Sequence, residues 1–105
     1  PPYTAWRRSD LSQFVGGPML ARFGGQYLVG GRKLMGQGPH QTVLHWLVDG
    51  QLQQAAALPT GGDTGYPGFV ETGPDCGLLS YYSSHEGSGS HLAPSAVYVA
   101  RLRLL

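Results

Sequence analysis

The sequence predicts an all-β chain made of two repeats of four strands each, and three observations carry that expectation. Its 105 residues include 17 Gly and 8 Pro while only 12% are charged, a load of turn formers that fits either disorder or a strand-rich fold with tight connections. The hydrophobic share is 41%, with two Trp and six Tyr spread along the chain, so there is a core to bury and the Gly and Pro act as punctuation between apolar runs. The order of runs and turns recurs after about fifty residues, as in repeat architectures.

The first repeat opens on Gly17-Pro18-Met19-Leu20-Ala21-Arg22-Phe23, an extended run closed by Gly24-Gly25. Gln26 to Arg32 follows at once, and Gly-Gly between two such runs predicts a hairpin. After a Gly-rich loop from Met35 to Gln41 comes Thr42-Val43-Leu44-His45-Trp46-Leu47-Val48, whose β-branched and aromatic content favours strand, and then the turn Asp49-Gly50. Gln51 to Leu58 completes the set. Its Ala55-Ala56-Ala57 stretch is compatible with helix, but the run is short and Pro59 follows, so an outer strand is expected.

The second repeat keeps that order. Tyr66 to Glu71 answers the first run with Pro67 on Pro18, Gly73 to Gly77 replaces the Gly-Gly turn, Leu78 to Tyr82 answers the second run, and Ala96 to Leu102 answers the third after a polar loop from Ser83 to Ser95. A fourth run does not follow, whereas Pro2 to Arg7 precedes the first repeat without a partner. Four-stranded units of this period are expected to be β-propeller blades, with the leftover strand closing the second one. The chain is then one unit over 1–105: an outer strand at 1–9, a first blade at 17–59 and three inner strands of a second blade at 64–105. A small two-sheet sandwich is the alternative. Two blades leave two faces bare, so a ring of identical chains is expected, with four, six or eight blades from two, three or four copies.

Charge and composition narrow the function classes. The formal net charge is +1 with the Arg and Lys mostly scattered, which gives no electrostatic case for a nucleic-acid or anionic-membrane partner. No apolar run approaches the ~20 residues of a membrane helix. The single Cys76 excludes an internal disulfide and a thiolate cluster, so no cofactor or metal is expected and the compartment is left open. The chain opens on Pro1-Pro2 and stops at Leu105 within an apolar run, as a processed product or an excised piece would.

In up-and-down units, alternate connections emerge on the same side. The long polar loops therefore share one face, and they carry Arg32, His40, Asp63, Tyr66, His85, Glu86 and His91. Gly16-Gly17-Pro18-Met19-Leu20-Ala21-Arg22-Phe23, Gly30-Gly31-Arg32, Thr42 to Leu47, Gly61-Gly62-Asp63-Thr64-Gly65-Tyr66-Pro67-Gly68 and Ser80 to Gly87 resemble the carboxy-terminal part of sialidase-like, BNR-repeat propellers. The resemblance spans nearly the whole chain. It implies six blades, hence a homotrimer, and a sugar site where the innermost strands begin. It also implies arginines on a substrate carboxylate, a tyrosine nucleophile helped by a glutamate, and an aspartate as acid/base. Tyr66 resembles the nucleophile and Arg32 one of the arginines. The family's Asp-box is absent, and no Glu is clearly matched to Tyr66.

The candidate set is therefore Tyr66 and Asp63 for catalysis, and Arg32, Asp63, Tyr66, His85 and Glu86 for a ligand. Each has a plainer alternative. Tyr66 would line the ring entrance beside Pro67, Asp63 would be a turn residue bonding its own backbone, and Arg32 would pair with Asp63. His85-Glu86 with His91 lacks a third convincing ligand for a metal. Gly16-Gly17 and Gly61-Gly62 do not join a strand to a helix, so no phosphate cradle is expected. The expected function is a self-assembling propeller module that binds a carbohydrate or small anion on its loop-rich face. A sialidase-type glycoside hydrolase and a purely structural propeller fragment are the alternatives.

Overall fold

The structure is a computed structural model that describes residues 1–87 and 93–105. It is all-β, with two antiparallel sheets and, among the described residues, no helix. The first sheet holds β1 (Gly16–Phe23), β2 (Gln26–Lys33), β3 (Gln41–Val48) and β4 (Gln51–Ala57) in sequential order. The second holds β5 (Thr64–Gly73), β6 (Cys76–Ser83) and β7 (Ala96–Arg103), also in order. Seven of the eight expected runs are strands within a residue or two of their expected bounds, and the run at 1–9 is not a strand. The Ala-rich run is β4, kept extended by its antiparallel pairing to β3, with a register shift between Leu44 and His45.

Alternation decides what is buried. Met19, Phe23, Leu28, Leu44 and Trp46 project from one face of the first sheet toward Phe69, Leu79, Tyr81, Tyr98, Ala100 and Leu102 of the second. The sheets meet most closely along their first strands, β1 against β5. Phe23 and Phe69 pack there at a centroid separation of 4.9 Å, and the Gly24 amide donates to Glu71 Oε1 at 2.9 Å. Gly24 and Gly25, both at positive φ, and Asp49-Gly50, likewise, give the tight twisted turns that join neighbouring strands.

The two ends of the molecule differ. At one end the hairpin turns crowd together, with Gly24 beside Leu104 and Pro74. At the other, a buried polar seam ties the sheets: Thr42 Oγ1 and Thr64 Oγ1 are 2.7 Å apart, and Thr64 Oγ1 also reaches the Tyr82 carbonyl at 2.7 Å. Away from β1 and β5 the sheets part, leaving a cavity of about 560 Å³ lined by Leu44, Trp46, Ala55, Ala56, Leu102 and Leu104 among others. Among the described residues β7 has no strand on its outer side, and residues 1–9 form no strand.

Candidate functional site

The loops at the seam end hold the candidate residues, and hydrogen bonds explain why they are fixed. Ser84 is fully buried, and its amide donates to the carbonyls of both Gly61 and Asp63 at 3.1 Å. Ser83, also buried, receives the Gly61 amide on its hydroxyl at 3.1 Å. The loop before β5 is thus tied to the end of β6, because buried polar groups must find partners. That tie presents Asp63 immediately before the first residue of β5.

Arg32, Asp63 and Tyr66 come together. Arg32 lies near the end of β2, between Gly16 and Thr42 in the ladder. Its Nη1 stands 3.7 Å from Asp63 Oδ1, with the arginine side chain 26% exposed and the aspartate 42%. Its Nε is buried without a partner among the described residues. The Asp63 carboxylate accepts the Tyr82 hydroxyl at 2.9 Å, and the Tyr82 ring stacks on Tyr66 at 6.1 Å and 20°. Tyr66 is 67% exposed. Its backbone has φ +46°, a left-handed conformation that costs a side-chain-bearing residue about 1–2 kcal/mol. Gly17, at φ +53°, passes under the ring, where a Cβ would stand 2.9 Å from it.

His85 and Glu86 belong to a second cluster. Tyr98 donates to Glu86 Oε2 at 2.7 Å, its ring centroid lies 4.5 Å from that of His85, and His85 Nδ1 is 2.9 Å from Ser83 Oγ. The hydrogen bond to Glu86 pushes the Tyr98 phenol up to about 12. His40 carries a buried Nδ1 with no partner among the described residues, and His91 lies outside them. Among the described residues no three His, Cys, Asp or Glu side chains gather as a metal site would require.

Comparison with known protein families, characterised proteins and solved structures finds no match. The site therefore has to be read from its own chemistry. It offers a guanidinium partly committed to one carboxylate, a carboxylate shared with a phenol, and an exposed aromatic face. Burial, then the hydrogen bond to Asp63, pushes the Tyr82 phenol up, so the tyrosine in contact with a carboxylate keeps its proton. Sequence reading placed Tyr82 and Tyr98 only as strand residues. The signal that finds them is register: Tyr82 pairs with Gly65, which carries its ring beside Asp63 and Tyr66.

Proposed function

We propose that this chain is a sialidase-like β-propeller module that associates with copies of itself and binds a carbohydrate or another small anion on its loop-rich face. The observation that carries the binding reading is Arg32, whose Nε is buried and without a partner among the described residues and whose Nη1 is held 3.7 Å from Asp63 beside the exposed Tyr66 ring. A loose ion pair leaves the guanidinium free to take a carboxylate in the bidentate geometry it prefers. An exposed aromatic ring is a surface on which a sugar can stack. Backbone strain stored at Tyr66 is of the kind that accumulates at binding sites.

The assembly reading draws support from sequential four- and three-stranded sheets that meet along their first strands, as neighbouring blades do. Three copies would give six blades and bring three Arg32 side chains to one face. The test is titration of the chain with N-acetylneuraminic acid and a panel of glycans. Binding that disappears in Arg32→Ala is expected, and binding that is unchanged in that variant overturns the assigned site.

A hydrolase with Tyr66 as nucleophile is the second reading, favoured by the exposure of that phenol. It requires a carboxylate to take the Tyr66 proton, and the phenol bonded to Asp63 is that of Tyr82. Turnover of a fluorogenic sialoside that is lost in Tyr66→Phe would establish it; absence of turnover by the wild type excludes it. Failure of both tests leaves the structural module.

A further inference from the structure

Arg32 and Asp63 approach without closing. A guanidinium and a carboxylate that hydrogen-bond lie about 2.8 Å apart, yet Arg32 Nη1 stands 3.7 Å from Asp63 Oδ1. The gap does not come from want of a donor. Arg32 Nε is buried with no partner among the described residues, and the segment that carries Asp63 passes over it, since a Cβ at Gly65 would stand 3.7 Å from that nitrogen. A half-buried pair of opposite charges gains by closing, so another contact must hold the carboxylate off.

That contact comes from β6. Asp63 Oδ1, the same oxygen that faces Arg32, accepts the Tyr82 hydroxyl at 2.9 Å. Each side of the bond is fixed separately. The Asp63 carbonyl accepts the Ser84 amide at 3.1 Å and the Ser84 hydroxyl at 3.4 Å, which pins its backbone and leaves rotation of the side chain. Tyr82 is held opposite Gly65 in the ladder, by the Thr64 hydroxyl donating to its carbonyl at 2.7 Å, and by its ring stacked on Tyr66 at 6.1 Å. Burial and then Asp63 keep its phenol above the ordinary tyrosine range, so it stays a donor at neutral pH.

We infer that Tyr82 is a positioning residue that latches Asp63 away from Arg32 and so keeps the guanidinium open to an anionic ligand; this rests on the binding reading proposed above. Without the latch, Asp63 is an anion already in place. Its carboxylate rotates onto Arg32, satisfies the donors now left open, and takes the geometry that a ligand carboxylate would take. The affinity of the site for an acid is therefore set by which partner holds Asp63.

The test uses Tyr82→Phe, which keeps the ring and removes the hydroxyl. Nitrogen–proton spectra of the arginine side chains read the pair directly. In the variant the Arg32 guanidinium signals are expected to shift and to exchange more slowly with water, and adding Asp63→Asn should abolish most of that change. Titration with N-acetylneuraminic acid reads the consequence. Binding should weaken about tenfold in Tyr82→Phe, the size of one hydrogen bond to a charged group, whereas the same change made in an Asp63→Asn background should have little effect. Arg32 signals that Tyr82→Phe leaves in place overturn the latch even where the wild type binds the acid, and so do shifted signals with undiminished binding. Shifted signals in a chain whose wild type does not bind the acid support the latch and overturn the ligand reading instead.

Discussion

At the scale of single residues, His45 shows how the fold sets a charge state. It is 1% exposed, its Nδ1 has no partner among the described residues, and Lys33 lies near it through Gln54, to which the Lys33 ammonium donates at 3.0 Å. Burial first, and the Lys33 charge second, hold its imidazole below the usual histidine range. The folded chain therefore takes up this proton less readily than the unfolded chain, so the contribution is intact above about pH 6.5 and is lost as pH falls below it. Chemical denaturation as a function of pH should show that loss, and His45→Leu should flatten it. At neutral pH the variant should be as stable as the wild type or more so, since it removes an orphaned polar atom. Tyr98 has the opposite sign in the alkaline range. With its phenol pushed up to about 12 by Glu86, the folded chain keeps a proton that an unfolded tyrosine gives up near 10, so stability falls as pH rises between those values. Absorbance titration should show a phenol titrating at about 12, and Glu86→Gln should bring it down toward the ordinary tyrosine range.

At the scale of elements, what could be read in advance was whatever depends on alternation and turns. Gly24-Gly25 and Asp49-Gly50 announce their hairpins, and β-branched or aromatic runs announce β3 and β7, because these signals are local. Pairing partners are not local. Arg32, Asp63 and Tyr66 were legible as loop-end residues on one face and do meet, whereas Tyr82 was not, since its place depends on a bulged register between Gly65 and Gly68. His85 and Glu86 shared a loop with no hint that Tyr98 would draw them into a separate cluster. The run at 1–9 is expected as a strand from its position before the repeat, yet strand formation needs pairing to an edge, and in the structure it pairs with neither sheet. Gly31 makes a further element-scale demand. Val15 lies directly over it, and a Cβ there would stand 2.9 Å from the Gly16 carbonyl oxygen. Backbone cannot yield as a flexible side chain can, so Gly31→Ala should cost about 1–3 kcal/mol by denaturant unfolding and loosen the approach of the segment before β1.

At the scale of the whole molecule, surface area argues for association without reference to any family. A compact monomer of this mass exposes about 5,700 Å², whereas this chain exposes 7073 Å². Its radius of gyration is 14.8 Å, against ~13 Å for a compact chain of this length. The excess of roughly 1,400 Å² approaches what two standard interfaces remove from one subunit. Part of it lies on residues 1–10, exposed throughout, and part on the outer faces of the two sheets. One bare face carries Val70, Leu78, Val97 and Val99, and Leu20 and Tyr27 lie exposed on the far side of the first sheet, away from the core. If copies associate through surfaces that differ in this way, the contact is head-to-tail and closes into a ring when the rotation allows. Because association stabilises only the folded chain, the melting temperature should rise with protein concentration. Calorimetry over a hundredfold dilution series tests this. A midpoint that climbs with concentration and falls back when Val99→Lys is introduced on the bare face is the expected result. A midpoint independent of concentration would show that the two sheets are stable with both flanks in water.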